Sequence, residues 1–322
     1  MRLCSVAESG GWMLMMTWYK ILALALGAAL GVTGVAGAQT GPPAQKLPSA
    51  LVVLPLIDSG TNGSDGVSRD TRVEVVNLTA NSVDLQCFYV DSTSCNEIGF
   101  FLTMTPYQPL SWLASEGYND IRTFSRVPGF YGRGEMKCAV IARLPQVEFH
   151  NALQARAVVF GSDGTSVGYS ATAFRRLTDG DYTGAMPLDG VTYEQCPDRL
   201  HFTLLGQVAG QSESELILVP CTQDLLTQTP SQPNVSLTII NEFEQSFSAA
   251  IKFKCYDRRK LTDVASTLDR TALGSDTAHV IVRGGLSLIG LGIDQFTFNG
   301  APLTAANDPS FQGGRSATVT FP

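Results

Sequence analysis

The sequence predicts an all-β fold made of two antiparallel, immunoglobulin-like β-sandwich domains that arose by duplication. Apolar residues alternate with polar ones in short segments, as at Val73 and Val75, which is the pattern of half-buried strands. Turn pairs such as Asn299-Gly300 separate these segments, and helical patterns are scarce. Similar segments also recur in the same order in the two halves of the chain. Many short strands with regular turns are typical of sandwiches.

The first predicted element is a secretory signal peptide at residues 1–38. Lys20 precedes an uncharged run, Ile21–Val35, and small residues follow, so cleavage is expected between Ala38 and Gln39. The alternative is a membrane anchor, but the run is shorter than the roughly 20 residues that a spanning helix needs.

The mature chain is predicted to contain two domains. Residues 39–46 form a polar lead-in, and residues 47–175 form the first domain. Residues 176–212 are a partly ordered bridge that includes a strand, LHFTLL. Residues 213–322 form the second domain, which we expect to fold alone because a duplicated domain has its own core.

The duplication is inferred from four pairs of short segments in conserved order. The pairs are LVVLP (51–55) with LILVP (216–220), VEVVN (73–77) with LTIIN (237–241), LQCFYVD (85–91) with FKCYDRR (253–259), and LQARAVVF (153–160) with GRSATVTF (314–321). Two short helices are predicted at matching places, one through Leu261, Val264 and Leu268, and one from Leu110 to Gly117.

Composition excludes several classes of protein. Charged residues make up only 16% of the chain, against roughly 25% in an average domain, and no long charge run is present. This charge content is too low for a disordered chain. The net charge of −7, without a basic stripe, argues against a nucleic-acid partner. No segment after the signal offers 18 consecutive apolar residues, so we expect no integral membrane span in the mature chain. The expected location is the periplasm, the cell surface or the extracellular space.

Six cysteines remain after Cys4 leaves with the signal, and an even number in an exported chain predicts disulfides. These are Cys87, Cys95, Cys138, Cys196, Cys221 and Cys255. The competing metal site is disfavoured because there is no C-x-x-C pair, and His150, His201 and His279 do not have metal-ligand spacing with the cysteines. We expect no metal and no cofactor.

A pairing can be predicted from the strand pattern. A hairpin centred near Asp91 would place Cys87 opposite Cys95, within disulfide range. Cys221 is then assigned to Cys255, and Cys138 to Cys196. The pair Cys196–Cys221 is a close competitor.

Three segments carry a resemblance to known proteins. LILVPCTQD (216–224), NEFEQSFSAAIKFKC (241–255) and CFYVDSTSCNE (87–97) resemble segments of a set of exported bacterial proteins of unknown role. The resemblance implies export and a cysteine-containing, duplicated β unit. It implies no activity, ligand or catalytic residue.

Candidate catalytic and metal-binding residues are few. Ser166 lies in a G-x-S-x-G pattern, but the β-like segments on both sides predict a hairpin turn rather than a nucleophile elbow. Glu242 and Glu244, beside Gln245, could act as paired carboxylates, although a hairpin turn with Phe243 and Phe247 in the core is favoured.

Two further patterns fall on loops. Residues 58–66 form an acidic, glycine-rich loop that departs from the EF-hand pattern but could hold calcium, the alternative being a flexible connection. Asn62, Asn77 and Asn234 begin N-glycosylation triplets, and Asn77 also fits a turn that ends its strand.

The sequence favours an exported, non-catalytic structural or binding protein, because paired β units occur without a convincing catalytic constellation. One alternative is an exported hydrolase that uses Ser166 or loop carboxylates. Another is a subunit of a cell-surface assembly, in which case a protein partner at the cell surface is expected.

Overall fold

The computed structural model describes residues 47–61, 66–121, 123, 125–141, 151–178 and 184–322. The predicted signal peptide, its cleavage site and the lead-in lie outside these residues. These residues all belong to one unit of the chain. Among the described residues, no helix combines the length and apolar character needed to cross a membrane.

Strands form most of the described part of residues 47–188. They are β1 (Leu51–Ser59), β2 (Arg69–Asn77), β3 (Val83–Asp91), β4 (Glu97–Met104), β5 (Pro109–Leu113), β6 (Tyr118–Asp120), β7 (Ser125–Val127), β8 (Gly132–Ile141), β9 (Leu153–Gly161), β10 (Ser166–Ser170), β11 (Thr172–Phe174) and β12 (Ala185–Leu188).

The second half contains the remaining strands and three single-turn helices. They are β13 (Arg199–Leu205), β14 (Ser212–Pro220), β15 (Gln223–Asp224), β16 (Asn234–Asn241), β17 (Ser246–Lys252), β18 (Asp257–Lys260), α1 (Leu261–Val264), a 3-10 turn (Ser266–Leu268), α2 (Arg270–Leu273), β19 (Thr277–Gly284), β20 (Leu288–Phe298), β21 (Ala301–Asn307), β22 (Ser310–Gln312) and β23 (Ala317–Thr320).

The described strands form six sheets. The strand orders are β11-β1-β8-β3-β4, β10-β9-β2-β5, β12-β23-β15, β17-β16-β19-β13-β22, β18-β14-β20-β21 and β6-β7. Neighbouring sheets pack face to face, with β1 against β2 and β9, and β13 against β14 and β20. Pairing is antiparallel except between β15 and β23, which run parallel.

The predicted arrangement of the strands is wrong. The structure is all-β, with 62% of it in strands, but the small sheets are arranged as a five-bladed β-propeller and not as two immunoglobulin-like sandwiches. Period-two alternation and regular turns predict antiparallel sheets, and both architectures are built from such sheets. The sequence pattern therefore could not distinguish a sandwich from a propeller, because these differ in how the sheets pack together.

The core joins the two halves of the chain. Leu51, Val53 and Tyr89 of the first half belong to the same buried cluster as Ile217 and Ile289 of the second half. Every residue of β1 is buried, which explains the unbroken apolar run LVVLPLI: a strand covered on both faces needs no polar alternation. A second cluster lies within the second half, between β13, β14, β16 and β19.

All six cysteines that were predicted to be disulfide-bonded form disulfides. The bonds are Cys87–Cys138, Cys95–Cys255 and Cys196–Cys221. Three disulfides fit an exported protein, since such bonds persist in oxidising compartments. The second bond spans 160 residues and joins the two halves of the chain.

The predicted hairpin pair Cys87–Cys95 is wrong because the register differs from the one assumed. Cys87 lies opposite Phe100 on β4 and opposite Cys138 on β8, so Cys138 is the cysteine within reach. Cys95 lies in the turn after Asp91 with a left-handed backbone and bonds Cys255. Of the predicted alternatives, the competitor Cys196–Cys221 is the one found.

The predicted duplication is not supported. Residues 153–160 lie in β9 beside β2, but the segment matched to them ends in β23, within the small sheet of β12 and β15. Similarly, β3 lies between β4 and β8, whereas β18 pairs only with β14 among the described strands. Short β segments resemble one another because they share the alternation of apolar and polar residues. Their similarity alone therefore did not establish that they occupy equivalent positions in two copies of one fold.

Two local predictions about elements had opposite outcomes. Helical turns do form around Leu261 and Leu268; Asp269 caps α2 by accepting from the Thr271 amide at 2.8 Å. The other predicted helix is wrong, because residues 109–113 form β5 beside β2. The predicted strand LHFTLL is present as β13.

Candidate functional site

A cleft lies between two hairpins that come from different sheets. One is the β9–β10 hairpin and the other is the β20–β21 hairpin, and β10 contacts β21. The cleft has a volume of about 330 Å³ and is completed by Arg258 of β18. This volume is at the lower end of the range for ligand pockets.

Apolar side chains that are only half-buried line the cleft. Phe160 is 38% exposed, Phe296 38% and Leu303 43%. Phe296 and Leu303 are cross-strand partners, so they share one face of their hairpin. Exposed aromatic and aliphatic groups gathered in one concave place are typical of binding surfaces.

Charged and polar groups lie beside these apolar side chains. Arg69, Asp163, Ser166 and Arg258 are among the lining residues. Asp163 lies in the β9–β10 turn, where the hydroxyl of Thr165 donates to it at 2.6 Å and lowers the pKa of this carboxyl.

Arg258 is fixed by two carboxylates. Its guanidinium donates to Asp58 at 2.8 Å and to Glu215 at 2.6 Å. Burial alone would lower the pKa of Arg258, but the charge of Glu215 and that of Asp58 outweigh it and raise the pKa. Asp58 also accepts from Arg133 at 3.2 Å. The lining of the cleft therefore includes a guanidinium that two ion pairs fix in place.

Ser166 lines the cleft but not in the geometry of a nucleophile elbow. It begins β10 and lies opposite Phe160 across the hairpin, whereas an elbow places serine between a strand and a helix. Among the described residues that line the cleft there is no histidine. His201 and His279 lie on another sheet and His150 is outside the described residues.

The two described histidines form a pair on neighbouring strands. His201 Nδ1 lies 3.0 Å from His279 Nε2, and His201 Nε2 lies 3.0 Å from the side-chain oxygen of Gln312. Burial, and then the charge of His201, lowers the pKa of His279. Within the described part of the chain, no group of three or more histidine, cysteine or acidic side chains could hold a metal.

The acidic loop begins at a residue with another role. Asp58 is the buried partner of Arg133 and Arg258, so its carboxylate is already engaged in ion pairs. Residues 62–65, including Asn62, lie outside the described residues.

The cluster at Glu242 and Glu244 is a hairpin turn between β16 and β17. The Asn241 side chain accepts from the amides of Phe243 and Gln245 and donates to the Leu273 carbonyl at 2.8 Å. Phe247 packs against the second core cluster, but Phe243 is 64% exposed and is not part of the core as predicted.

The two described glycosylation triplets differ in access. Asn77 is fully buried; its side chain donates to the carbonyls of Asn81 and Thr105 and accepts from Thr79, which confirms the turn role. Asn234 is exposed at the start of β16.

A buried ionic cluster, which the sequence analysis did not find, lies between two sheets. It consists of Glu97 (β4), Glu135 and Lys137 (β8) and Gln223 (β15). Glu135 and Lys137 are two residues apart, so they share a face of β8. The signal that could have revealed it is GEMKCAV, an apolar strand segment with two charges at period two.

The comparisons with known proteins are sparse. No family model and no curated protein matches the chain. Thermotoga maritima 1070, a solved structure, is similar over 37% of this chain and 98% of its own, at 6% sequence identity and a TM-score of 0.29. A TM-score this low gives no support for a shared fold or function.

Proposed function

We propose that the protein is an exported, non-catalytic binding protein that takes up a segment of a protein partner in the cleft. The observation that carries this proposal is the cleft itself, where Phe160 and Phe296 are half exposed beside the fixed cation of Arg258. Aromatic residues and arginine are the types most enriched at the energetic centres of protein interfaces.

The rigidity of the site also favours binding. Its two hairpins belong to extended sheets, and Arg258 is fixed by Asp58 and Glu215. A site whose side chains are already ordered loses little conformational entropy when a partner docks. The three disulfides suit an exported environment in which such a partner would be met.

An exported hydrolase remains the second candidate, since Ser166 lines the same cleft. Nucleophilic catalysis by serine needs an adjacent base, and the described lining residues include no histidine. A screen of ester, peptide and glycoside substrates decides this. Turnover that Ser166→Ala abolishes would establish the hydrolase and overturn the binding proposal.

Peptide selection tests the proposal directly. Phage-displayed random peptides are selected on the mature protein, and the affinity of the recovered peptides is measured by calorimetry. We expect the variant Phe160→Ala/Phe296→Ala to bind at least about 10-fold more weakly, because truncating the large side chains at the centre of an interface costs about 1 kcal/mol or more each.

Phe243→Ala is the matched control. Phe243 is an equally large, exposed side chain on the β16–β17 turn, outside the cleft lining. Its loss should leave the affinity unchanged. Peptides that bind the cleft variant as tightly as the wild type, or a selection that recovers no peptide, would contradict the proposal.

A further inference from the structure

Lys137 is a fully buried amine in the middle of a covered strand. β8 is flanked by β1 and β3, and seven of its ten residues are buried. The face that carries Lys137 also carries Phe88 of β3, whose ring packs on Phe321 at 5.9 Å, next to β23. Lys137 therefore lies in the buried space between its own sheet and the sheet of β12, β23 and β15.

The amine has two polar neighbours in this space. Lys137 Nζ lies 2.5 Å from Glu135 Oε1, and it also contacts the side-chain oxygen of Gln223. Burial lowers the pKa of the Lys137 amine and raises the pKa of the Glu135 carboxyl, because a dry environment disfavours both charged forms. An uncharged amine is a nucleophile, and a neutral carboxyl beside it can give a proton to the group under attack and then take one from the attacking nitrogen.

The carboxamide of Gln223 lies between this amine and a second acid. Its oxygen faces Lys137 Nζ, and its nitrogen Nε2 lies 3.2 Å from Glu97 Oε1. The carbonyl carbon Cδ is one bond from both of these atoms. Burial raises the pKa of Glu97 to about 7, so that this carboxyl can hold a proton at neutral pH.

Two oxygens of the cluster are unused by the described residues. Glu135 Oε2 and Glu97 Oε2 are buried and have no hydrogen-bond partner among them. A cluster that served packing alone would be expected to satisfy these oxygens, because each unpaired buried acceptor is destabilising. A role in accepting and delivering protons during a reaction would explain why these two oxygens have no hydrogen-bond partner.

We propose that Lys137 and Gln223 form an intramolecular isopeptide bond. Nζ attacks Cδ, the Nζ–Cδ bond forms and the Cδ–Nε2 bond breaks, and Nε2 leaves as ammonia. The neutral Glu135 carboxyl gives its proton to the Gln223 carbonyl oxygen as Nζ attacks, and its carboxylate then takes one proton from Nζ. Glu97 gives one proton to the departing nitrogen and regains one from the former carbonyl oxygen as the new amide forms, so both carboxyls return to their starting state. No oxidant or external reactant is needed, and the product is an amide that joins β8 to β15.

This bond would reinforce the contact between the halves of the chain. Lys137 directly precedes Cys138, Gln223 is two residues after Cys221, and Glu97 is two residues after Cys95, so the amide would lie near all three disulfides. Unlike them, it would survive reduction.

Peptide mapping of the wild-type protein tests the proposal. The full mature protein is reduced, alkylated and digested with trypsin, and its peptides are sequenced by mass spectrometry. We expect a branched peptide in which the bond after Lys137 is uncut and the peptide containing Gln223 is attached, with a total mass about 17 Da below the sum of the two. Separate, unmodified peptides containing Lys137 and Gln223 would overturn the proposal.

Intact mass alone does not decide, because cyclisation of an N-terminal Gln39 also releases ammonia. The variant Glu135→Gln distinguishes the loss of ammonia at Lys137 from the loss of ammonia at the N-terminus. It removes the base from the reaction but not the predicted N-terminal glutamine, so the loss located at Lys137 should disappear while any N-terminal loss remains. A branched peptide in Glu135→Gln at wild-type yield would show that Glu135 is not the base and would refute the mechanism.

Discussion

Asp58 illustrates how a single buried charge can depend on its partners. It is fully buried and paired with Arg133 and Arg258, two residues from separate strands. We predict that Asp58→Asn lowers the free energy of unfolding by about 1.5–3 kcal/mol, because the buried Arg258 keeps Glu215 but loses one of its two carboxylate partners. Urea unfolding followed by tryptophan fluorescence measures this loss.

Glu74→Gln provides the control for this substitution. Glu74 pairs with Arg156 at 2.5 Å, but the arginine side chain is largely exposed. Exposed pairs contribute little, so we expect a loss below about 1 kcal/mol. If Asp58→Asn and Glu74→Gln lost the same free energy of unfolding, burial of the ion pair would not determine its contribution to stability.

Glu97 should make stability depend on pH. Burial raises the pKa of this carboxyl from 4.5 to about 7, so between these values the folded protein retains a proton that the unfolded chain has released. The stability from this group is fully present below pH 4.5 and is lost as the pH rises through 7. Its loss should be about 1–2 kcal/mol, since the residue is partly exposed to solvent.

The variant Glu97→Gln isolates this effect. Urea midpoints at pH 5 and pH 8 should differ less in Glu97→Gln than in the wild type. Comparing the two pH values removes any constant effect of the substitution. The exposed Glu116→Gln should behave as the wild type does, and an unchanged pH dependence in Glu97→Gln would contradict the prediction.

Residue-scale features were only partly predictable from the sequence. The six disulfide cysteines followed from their even number and the export signal. Their partners did not, because Cys87 pairs across β3 and β8, which are separated by the whole of β4 to β7. The cluster at Lys137 also includes Gln223 from a distant strand. The spacing of residues within one segment of sequence does not reveal such a contact.

At the scale of elements, the disulfides should differ in their effect on stability. Cys95–Cys255 closes a loop of 160 residues and Cys196–Cys221 one of 25. The chain-entropy model therefore predicts that Cys95→Ala/Cys255→Ala is less stable than Cys196→Ala/Cys221→Ala, by about 1 kcal/mol once the remaining bonds are counted.

Guanidinium unfolding of the two double variants checks this order. Both replace two largely buried sulfurs with alanine, so the packing losses are comparable. A larger loss in Cys196→Ala/Cys221→Ala would show that local packing, rather than loop closure, determines the contribution of these bonds.

Elements were predicted best where the local pattern had one interpretation. The alternation in β2 and β16 and the run in β13 predicted strands correctly. Residues 110–113 were predicted as a helix because their apolar spacing fits more than one period, and pairing with β2 decided in favour of a strand. Sheet partners are set by long-range contacts that such patterns do not contain.

For the whole molecule, the shared core changes what is expected of fragments. The sequence predicts that residues 213–322 fold alone, but Ile217, Val219, Ile289 and Leu291 pack in a cluster with the first half. We predict that the isolated fragment 213–322 does not melt cooperatively, since these side chains would be exposed to water. Cys221 and Cys255 would also lose their partners.

Calorimetry of the fragment, compared with the mature chain under the same oxidising buffer, tests this. A single sharp transition in the fragment would show that the second half has a sufficient core of its own, through the cluster around Phe202 and Leu237. A Cys221→Ala/Cys255→Ala fragment separates the effect of unpaired thiols from that of the exposed core.

The path of the disulfides also bears on how the protein is made. Synthesis delivers cysteines in chain order, and only Cys196 and Cys221 are consecutive among the six that pair. Cys95 emerges 160 residues before Cys255, a delay on the order of ten seconds at usual rates of synthesis. During that interval the nearest thiol to Cys95 is Cys87. We therefore expect the yield of correctly paired protein to rise when an isomerase that reshuffles early bonds is present.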